Sequence, residues 1–239
     1  MKYKMHILLL VLCFSITFAV AQDRPQSDTQ REETEQTKLL QEGAVLLRTK
    51  KAQDAVSIFE KVIAYYESKH RGGAVQIYCA NNQVEALFYL TKHATQNPKI
   101  EARIVRIWCD AQFLKAYALV ELGRVGDAQS ALEAAIALAP ANSQYLSELG
   151  NIYLRQKNWV KALETYIGAE EAAQFSDPQI RQSHLAKAHR GVGYALIELG
   201  RLDEAEAKYR QSIQIDPNEK LARNQLEYIR QLRVKRGIQ

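Results

Sequence analysis

The chain has 239 residues, of which 47% are hydrophobic and 25% are charged, as in an ordinary soluble globular protein of one or two domains. Its 11 glycines and 5 prolines are too few for long low-complexity tracts, and its frequent alanine and leucine favour helices. The formal net charge of +5 is small, which argues against binding to nucleic acid or to an anionic membrane surface. The one basic cluster in the sequence is the short tail of Arg230, Arg233, Lys235 and Arg236, a pattern more typical of a solvated helix end.

The first 21 residues have the pattern of a secretory signal peptide. Lys2 and Lys4 give a basic start, residues 7–18 form a largely apolar run, and residues 19–21 (Ala-Val-Ala) supply the small side chains that signal peptidase requires. The apolar run is short for a membrane span, which needs about 20 residues. We therefore expect cleavage after residue 21 and a periplasmic or secreted protein, with membrane attachment only if the signal is not removed.

Export has two consequences for the remaining chain. The signal carries two lysines and no acidic residue, so its removal lowers the net charge from +5 to +3. Cys79 and Cys109 then lie in an oxidising compartment, where they could form a disulfide. The alternative is two separately buried thiols, because antiparallel helices turning near Asn97 and Pro98 would place the cysteines at different heights.

The rest of the chain is predicted to be helical from residue 37 onward. Residues 22–36 are polar and are expected to form a flexible leader. Apolar residues then recur at helical spacing, and no segment alternates like a strand. Residues 70–108 are irregular, with helices predicted over 74–93 and 100–122. Residues 219–239 are predicted to form a capping helix and tail.

A pattern of alanine followed four positions later by a large side chain recurs along the chain. Ala128 and Ala162 are 34 residues apart, and Leu132 and Tyr166 follow them. With its glycine, aromatic and proline positions, the pattern resembles the tetratricopeptide repeat (TPR), a helix-turn-helix unit of 34 residues. The residues that carry this resemblance, and that are expected to pack the repeats, are Gly43, Ala55, Phe59, Ala116, Ala128, Pro140, Gly150, Ala162, Tyr166, Gly193, Ala205, Tyr209 and Pro217.

The resemblance implies an all-α fold, in which TPR helix pairs over residues 37–218 stack as a right-handed α-solenoid with a C-terminal capping helix. In this family the first helix of each pair lines a concave groove. Tyr117 and Tyr194 could face that groove or belong to the core. By register with the family, the candidate peptide-binding residues are Phe113, Tyr117, Asn151, Arg155, Lys187, Arg190 and Tyr194.

Three of these residues loosely resemble the clamp with which some TPR proteins hold a terminal carboxylate. Asn151, Lys187 and Arg190 have the required chemistry. Gly191, however, occupies the position where that clamp has an arginine, and Arg190 is displaced by one residue. The sequence therefore favours an ordinary mixed groove over a carboxylate clamp.

No catalytic or cofactor-binding motif accompanies the repeats. The sequence has no HExxH, paired CxxC or glycine-rich phosphate loop, and His184 and His189 are five residues apart, a poor spacing for sharing a metal on one helix. We expect no enzyme activity, no cofactor and no metal site. The predicted function is a scaffold or adaptor of the cell envelope that binds a protein or peptide.

Two alternative functions remain open, and a different experiment would detect each. One is a self-associating structural protein, which would appear as a homodimer in light scattering. The other is an accessory subunit of an exported enzyme complex, which would co-purify with an activity.

Overall fold

The computed structural model describes residues 28–237. The predicted signal peptide and residues 22–27 of the predicted leader lie outside this range. Within it, no helix combines the length and the hydrophobicity that crossing a membrane requires. The elements are α1 (Asp28–Arg48), α2 (Ala52–Lys69), β1 (Val75–Tyr78), α3 (Gln83–Gln96), β2 (Glu101–Ile104), α4 (Arg106–Glu121), α5 (Val125–Leu138), α6 (Ser143–Arg155), α7 (Trp159–Ala172), a short 3₁₀ helix (Ala173–Phe175), α8 (Arg181–Glu198), α9 (Leu202–Ile215) and α10 (Lys220–Arg236).

Four antiparallel helix pairs stack in sequence: α1 with α2, α4 with α5, α6 with α7, and α8 with α9. The turn inside each pair has one residue with positive φ: Lys50 (60°), Gly123 (73°), Lys157 (58°) or Gly200 (77°). In all four turns this residue donates its amide to the carbonyl three residues back, and the next amide donates to the carbonyl five residues back. The same backbone geometry therefore repeats along the stack and confirms the all-α repeat fold.

Three of the four pairs close tightly where a glycine of the first helix meets an aromatic ring of the second; in the α4–α5 pair the corresponding residues are Ala116 and Leu132. A Cβ added to Gly150 would lie 2.7 Å from the Tyr166 ring, and one added to Gly193 would lie 2.8 Å from the Tyr209 ring. The Tyr166 ring also contacts Gly191 of the next pair, so it joins neighbouring repeats. Gly43 and Phe59 make the corresponding contact in the first pair. The repeated alanines Ala55, Ala116, Ala128, Ala162 and Ala205 are all buried.

The two repeat prolines follow second helices at equivalent positions. Pro140 comes two residues after the end of α5, and Pro217 comes two residues after the end of α9. Because proline lacks an amide hydrogen and disfavours a preceding helical residue, it stops the second helix before the next pair begins.

The first helix begins earlier than the sequence indicates. Residues 28–36, part of the predicted flexible leader, form the first turns of α1. Contacts with α2 hold this part of the helix: the Tyr65 hydroxyl and the Lys69 ammonium both donate to a carboxylate oxygen of Glu32, at 2.6 and 2.7 Å. A polar segment is therefore ordered by side-chain contacts that its own composition does not reveal.

An insert separates the first two helix pairs. It consists of β1, α3 and β2, with the strands parallel and Val75 opposite Glu101. The helices predicted over 74–93 and 100–122 are thus wrong at their beginnings, because strands occupy 75–78 and 101–104. Asn82 accepts a hydrogen bond from the Glu85 amide and starts α3 after β1. The strands have the sequences Val-Gln-Ile-Tyr and Glu-Ala-Arg-Ile, and four residues are too few for periodicity to separate a strand from a helix.

The insert packs against turns of the later repeats. The Tyr89 hydroxyl donates to Glu85 Oε1 at 2.9 Å and accepts from the Ala141 amide at 2.9 Å. The Phe88 ring stacks on Phe175 with centroids 4.0 Å apart. Burial raises the pKa of Glu85, whose carboxyl lies inside this contact. The insert is therefore a fixed part of the solenoid edge.

Cys79 and Cys109 form a disulfide between the insert and α4. Their Cα atoms are 6.1 Å apart, and both residues are buried. The sequence argument for different heights assumed that both cysteines lie on helices. Cys79 instead directly follows β1, which brings it beside Cys109 and forms the bridge.

The last helix caps the stack. Helix α10 packs on α9 through the buried side chains of Ala222 and Ile229. The Arg233 guanidinium bridges the carboxylates of Asp203 and Glu206 at 2.6 Å. The predicted capping helix is present, with its basic last turn at the end of the macrodipole that favours cations.

Candidate functional site: a groove between α4, α6 and α8

A groove of about 470 Å³ lies between the first helices of three consecutive pairs. Its walls are largely apolar because side chains of α4, α5 and α6 converge there, and its floor is polar. Four predicted binding residues line it: Tyr117, Asn151, Arg155 and Lys187. The remaining lining residues are Ala116, Val120, Leu132, Glu148, Ile152 and Leu154.

The polar floor of this groove is a closed hydrogen-bonded network. The Lys187 ammonium donates to Glu148 Oε1 at 2.5 Å, and the Asn151 amide donates to Glu148 Oε2 at 3.1 Å. The Tyr166 hydroxyl donates to Asn151 Oδ1 at 2.5 Å. Two of the predicted residues are thus held by internal partners, and Lys187 is neutralised by Glu148.

Arg155 differs from the other cations of this region. It is the last residue of α6, its side chain is exposed, and within residues 28–237 its guanidinium has no hydrogen-bond or ion-pair partner. The groove therefore presents a free planar cation at its rim, a group that can bind a carboxylate through two parallel hydrogen bonds.

The aromatic candidates occupy different environments. Tyr117 is 47% exposed and Tyr194 is 38% exposed, so neither belongs to the core. Phe113 is half-buried, lying edge-to-face with Tyr117 at 5.6 Å and stacked on Tyr145 at 5.0 Å. The charge of nearby Glu148 raises the pKa of Tyr117, so its phenol stays neutral. Tyr117 is therefore the exposed aromatic of the groove, and Phe113 supports it from behind.

Arg190 and Tyr194 do not line the groove. The Arg190 guanidinium pairs with Glu219 at 3.0 Å, with both side chains three-quarters buried, and so joins α8 to the start of α10. Gly191 packs against the Tyr166 ring, which leaves no room for any side chain at that position. The structure thus gives a physical reason for the absence of a carboxylate clamp.

Sequence reasoning missed Glu148, the residue that organises the groove floor. Glu148 lies three positions before Asn151 on α6, so the two share one helix face. That spacing was a usable signal. The partner Lys187, however, is 39 residues away, and such a pairing cannot be read from local pattern.

The two histidines of α8 have separate surroundings. His184 Nδ1 lies 2.8 Å from Ser176 Oγ, whereas His189 Nδ1 lies 3.5 Å from Glu170 Oε2. Lys208 donates to both carboxylate oxygens of Glu170 at 2.7 Å. Burial lowers the pKa of both histidines, and in each case a nearby lysine lowers it further.

These histidines predict a loss of stability in mild acid. Since their pKa values are lower in the folded chain, the unfolded chain binds more protons as the pH falls through about 6.5. The free energy of unfolding should therefore fall between pH 7.5 and 5.5, with a slope of at most about 1.4 kcal/mol per pH unit for each histidine. Urea unfolding of the wild type and of His189→Gln should show a weaker pH dependence in the variant; equal slopes would contradict this assignment.

Comparisons with known proteins agree with the repeat geometry. Sequence profiles of the tetratricopeptide repeat match residues 113–177 and 186–219. A comparison with curated proteins found no match.

Two solved structures of MamA share the fold at low sequence identity. A double mutant of MamA from RS-1 superposes with a TM-score of 0.55 at 14% identity, covering 84% of this chain and 85% of that chain. MamA from AMB-1 superposes with a TM-score of 0.51 at 18% identity, covering 84% and 83%. The first TPR domain of Spaghetti, bound to an HSP90 peptide, gives a TM-score of 0.46 at 22% identity, covering 52% and 94%. The described part of the chain is therefore an all-α solenoid that contains tetratricopeptide repeats.

Proposed function

We propose that the protein is a non-catalytic scaffold or adaptor that binds a protein or peptide in the groove between α4, α6 and α8. The observation that carries the proposal is the combination of an apolar cavity of about 470 Å³ with two side chains at its edge, exposed Tyr117 and Arg155, which has no partner among residues 28–237. Aromatic and arginine side chains beside a cavity are typical of protein-binding hot spots. A stack of repeats also presents an extended surface, which suits a long ligand better than a small metabolite.

Replacing Tyr117 and Arg155 together by alanine should abolish most partner binding while leaving the fold intact. Both side chains are exposed, so their removal leaves no cavity in the core. We expect at least about a tenfold weaker retention of the partner, the effect of losing roughly 1.4 kcal/mol or more from a binding hot spot. The measurement is affinity capture from a native envelope extract, with quantitative mass spectrometry of the retained proteins.

The matched control for this capture is Ile167→Ala. Ile167 is 41% exposed on α7, a second helix of a pair, and does not line the groove. This variant should retain the same proteins as the wild type. A partner that is held equally by the wild type and by the Tyr117 and Arg155 double variant would place binding elsewhere on the molecule.

We also propose that the protein works outside the cytosol, in the periplasm or after secretion. Two observations support this. The sequence predicts a cleaved signal over residues 1–21, and the Cys79–Cys109 disulfide fits an oxidising compartment. N-terminal sequencing of the protein from its host cell should begin at Gln22. An intact N-terminus together with three free thiols after denaturation, those of Cys13, Cys79 and Cys109, would contradict the proposal.

Self-association is a second candidate, supported by an apolar stripe on the insert. Val84, Leu87 and Leu90 lie on one side of α3 and are 41%, 67% and 37% exposed. Two copies could cover this stripe by two-fold pairing of the same helix. Light scattering at micromolar concentration distinguishes a dimer from a monomer, and Leu87→Asp should dissociate a dimer formed through this stripe.

A further inference from the structure

We propose that the groove selects an extended peptide with one bulky apolar side chain and an acidic side chain close to it in sequence. This inference rests on the proposed function and names the class of ligand that the same groove takes. The apolar side chain enters the cavity, and the carboxylate pairs with Arg155 at the rim. A terminal carboxylate is not required.

The cavity accepts an apolar side chain because its walls are largely apolar. Leu132 and Ile152, each 2% exposed, form the buried part of the walls, and the half-buried side chains of Val120 and Leu154 form the rest. The exposed ring of Tyr117 stands beside them. An apolar side chain that covers these atoms removes them from water, which is the main source of binding free energy in such pockets.

The floor of the groove offers no charge to the ligand. The Lys187 ammonium lies 2.5 Å from Glu148 Oε1, and the Lys187 and Glu148 side chains are 34% and 17% exposed. A carboxylate placed there would lie beside the Glu148 carboxylate, which accepts from Lys187 and Asn151 and would repel it. Because this network is electrically balanced, the ligand needs no charged group opposite it.

Charge selection is therefore left to Arg155. Its guanidinium is exposed and unpaired within the described residues, whereas Arg190, the other candidate arginine, is already bound to Glu219. An acidic side chain of the peptide complements this free cation, and a basic side chain is repelled by it. A pair at an exposed rim contributes modestly to affinity but decides which sequences bind.

The test is a selection of random dodecapeptides displayed on phage against the full chain. Four baits are compared: wild type, Tyr117→Ala, Arg155→Glu and Arg48→Glu. Arg48 is the matched control, because it is also an exposed arginine at the last position of a first helix, α1, and also has no partner in the part of the chain that the structure describes. The wild type and Arg48→Glu should enrich Leu, Ile, Met or an aromatic residue with Asp or Glu close by.

Reversing the charge at position 155 should reverse the charge of the selected peptide residue and leave its apolar residue unchanged. Arg155→Glu should keep the apolar residue and replace Asp or Glu by Lys or Arg, and Tyr117→Ala should enrich little. Two results would overturn this inference and leave the proposed function standing. One is that the peptides selected by the wild type lack either the apolar or the acidic residue; the other is that the peptides selected by Arg155→Glu still contain the acidic residue. No enrichment over an uncoated surface also overturns the inference, and a capture experiment without a partner would then overturn the proposed function as well.

Synthetic versions of the selected peptide separate a side-chain carboxylate from a terminal one. Fluorescence anisotropy should show that amidation of the C-terminus changes Kd less than twofold. Replacing the selected Asp by Asn should weaken binding to the wild type about fivefold and leave binding to Arg155→Ala unchanged. A large effect of amidation would instead assign the carboxylate to the peptide terminus and overturn the proposal.

Discussion

Replacing Gly191 by alanine should destabilise the protein by about 1–3 kcal/mol, the usual effect of forcing an extra group into a packed contact. Alanine is intrinsically the better helix residue by about 1 kcal/mol, so a loss of stability would have to come from packing. Here the added methyl group would overlap the ring of Tyr166, which is 2% exposed and already lies against Gly150. The ring cannot move away without losing its contact with Gly150 on α6, the other helix of its own pair. Urea unfolding measures the change directly.

Gly168→Ala is the control for this prediction. Gly168 is also inside a helix, α7, but a Cβ there would meet only Leu146, at an ordinary distance of 3.9 Å. This variant should be unchanged or more stable by up to about 1 kcal/mol, as expected from helix propensity alone. If Gly191→Ala and Gly168→Ala had the same effect, the close packing of glycine on tyrosine would not be what joins the repeats.

Removing the disulfide should lower the free energy of unfolding by about 3–4 kcal/mol. The bridge closes a loop with a sequence separation of 30 residues, and chain-entropy arguments give a stabilisation of this order for such a loop. The double variant Cys79→Ala with Cys109→Ala is appropriate because both positions are buried and alanine leaves no unsatisfied polar group. Chemical unfolding of the oxidised wild type and of the double variant measures the difference.

A reducing agent provides the control for the disulfide. It should destabilise the wild type by a similar amount and leave the double variant unchanged. Thiol labelling in denaturant confirms that reduction is complete. A wild type whose stability is the same before and after complete reduction would contradict a stabilising role for the bridge.

The repeat architecture was predictable because its determinants are local. Within each unit, a small residue on the first helix, an alanine on the second and a large side chain four positions later suffice to bring two helices together. Gly150, Ala162 and Tyr166 carry all of this information within one short segment. The same spacing recurs along the chain, so four copies could be recognised without an alignment.

The insert and its disulfide were not predictable in this way. Strands β1 and β2 have only four residues each, and their pairing depends on a partner strand across α3. Once residues near Cys79 were assigned to a helix, the bridge to Cys109 looked geometrically difficult. A wrong secondary-structure prediction for the segment before Cys79 thus led to a wrong expectation for its distance from Cys109.

The groove was predicted in part. Register with the repeats predicted that Tyr117, Asn151, Arg155 and Lys187 face one groove, and these four residues line it. That they bind a peptide stays a prediction. The repeat register could not show that Glu148 forms an ion pair with Lys187 or that Glu219 forms one with Arg190, because each pair joins different helices. Charge compensation between distant residues decides which cations remain free for a ligand, and only the folded chain reveals it.

Site-specific photocrosslinking in the host cell tests the central claim, that this groove holds a protein partner, most directly. A photoreactive phenylalanine analogue would replace Tyr117 in the groove or, separately, Ile167 on α7, which are 47% and 41% exposed. The account predicts a discrete adduct to another protein from position 117 and none from position 167. An adduct from position 167 with none from position 117 would contradict it.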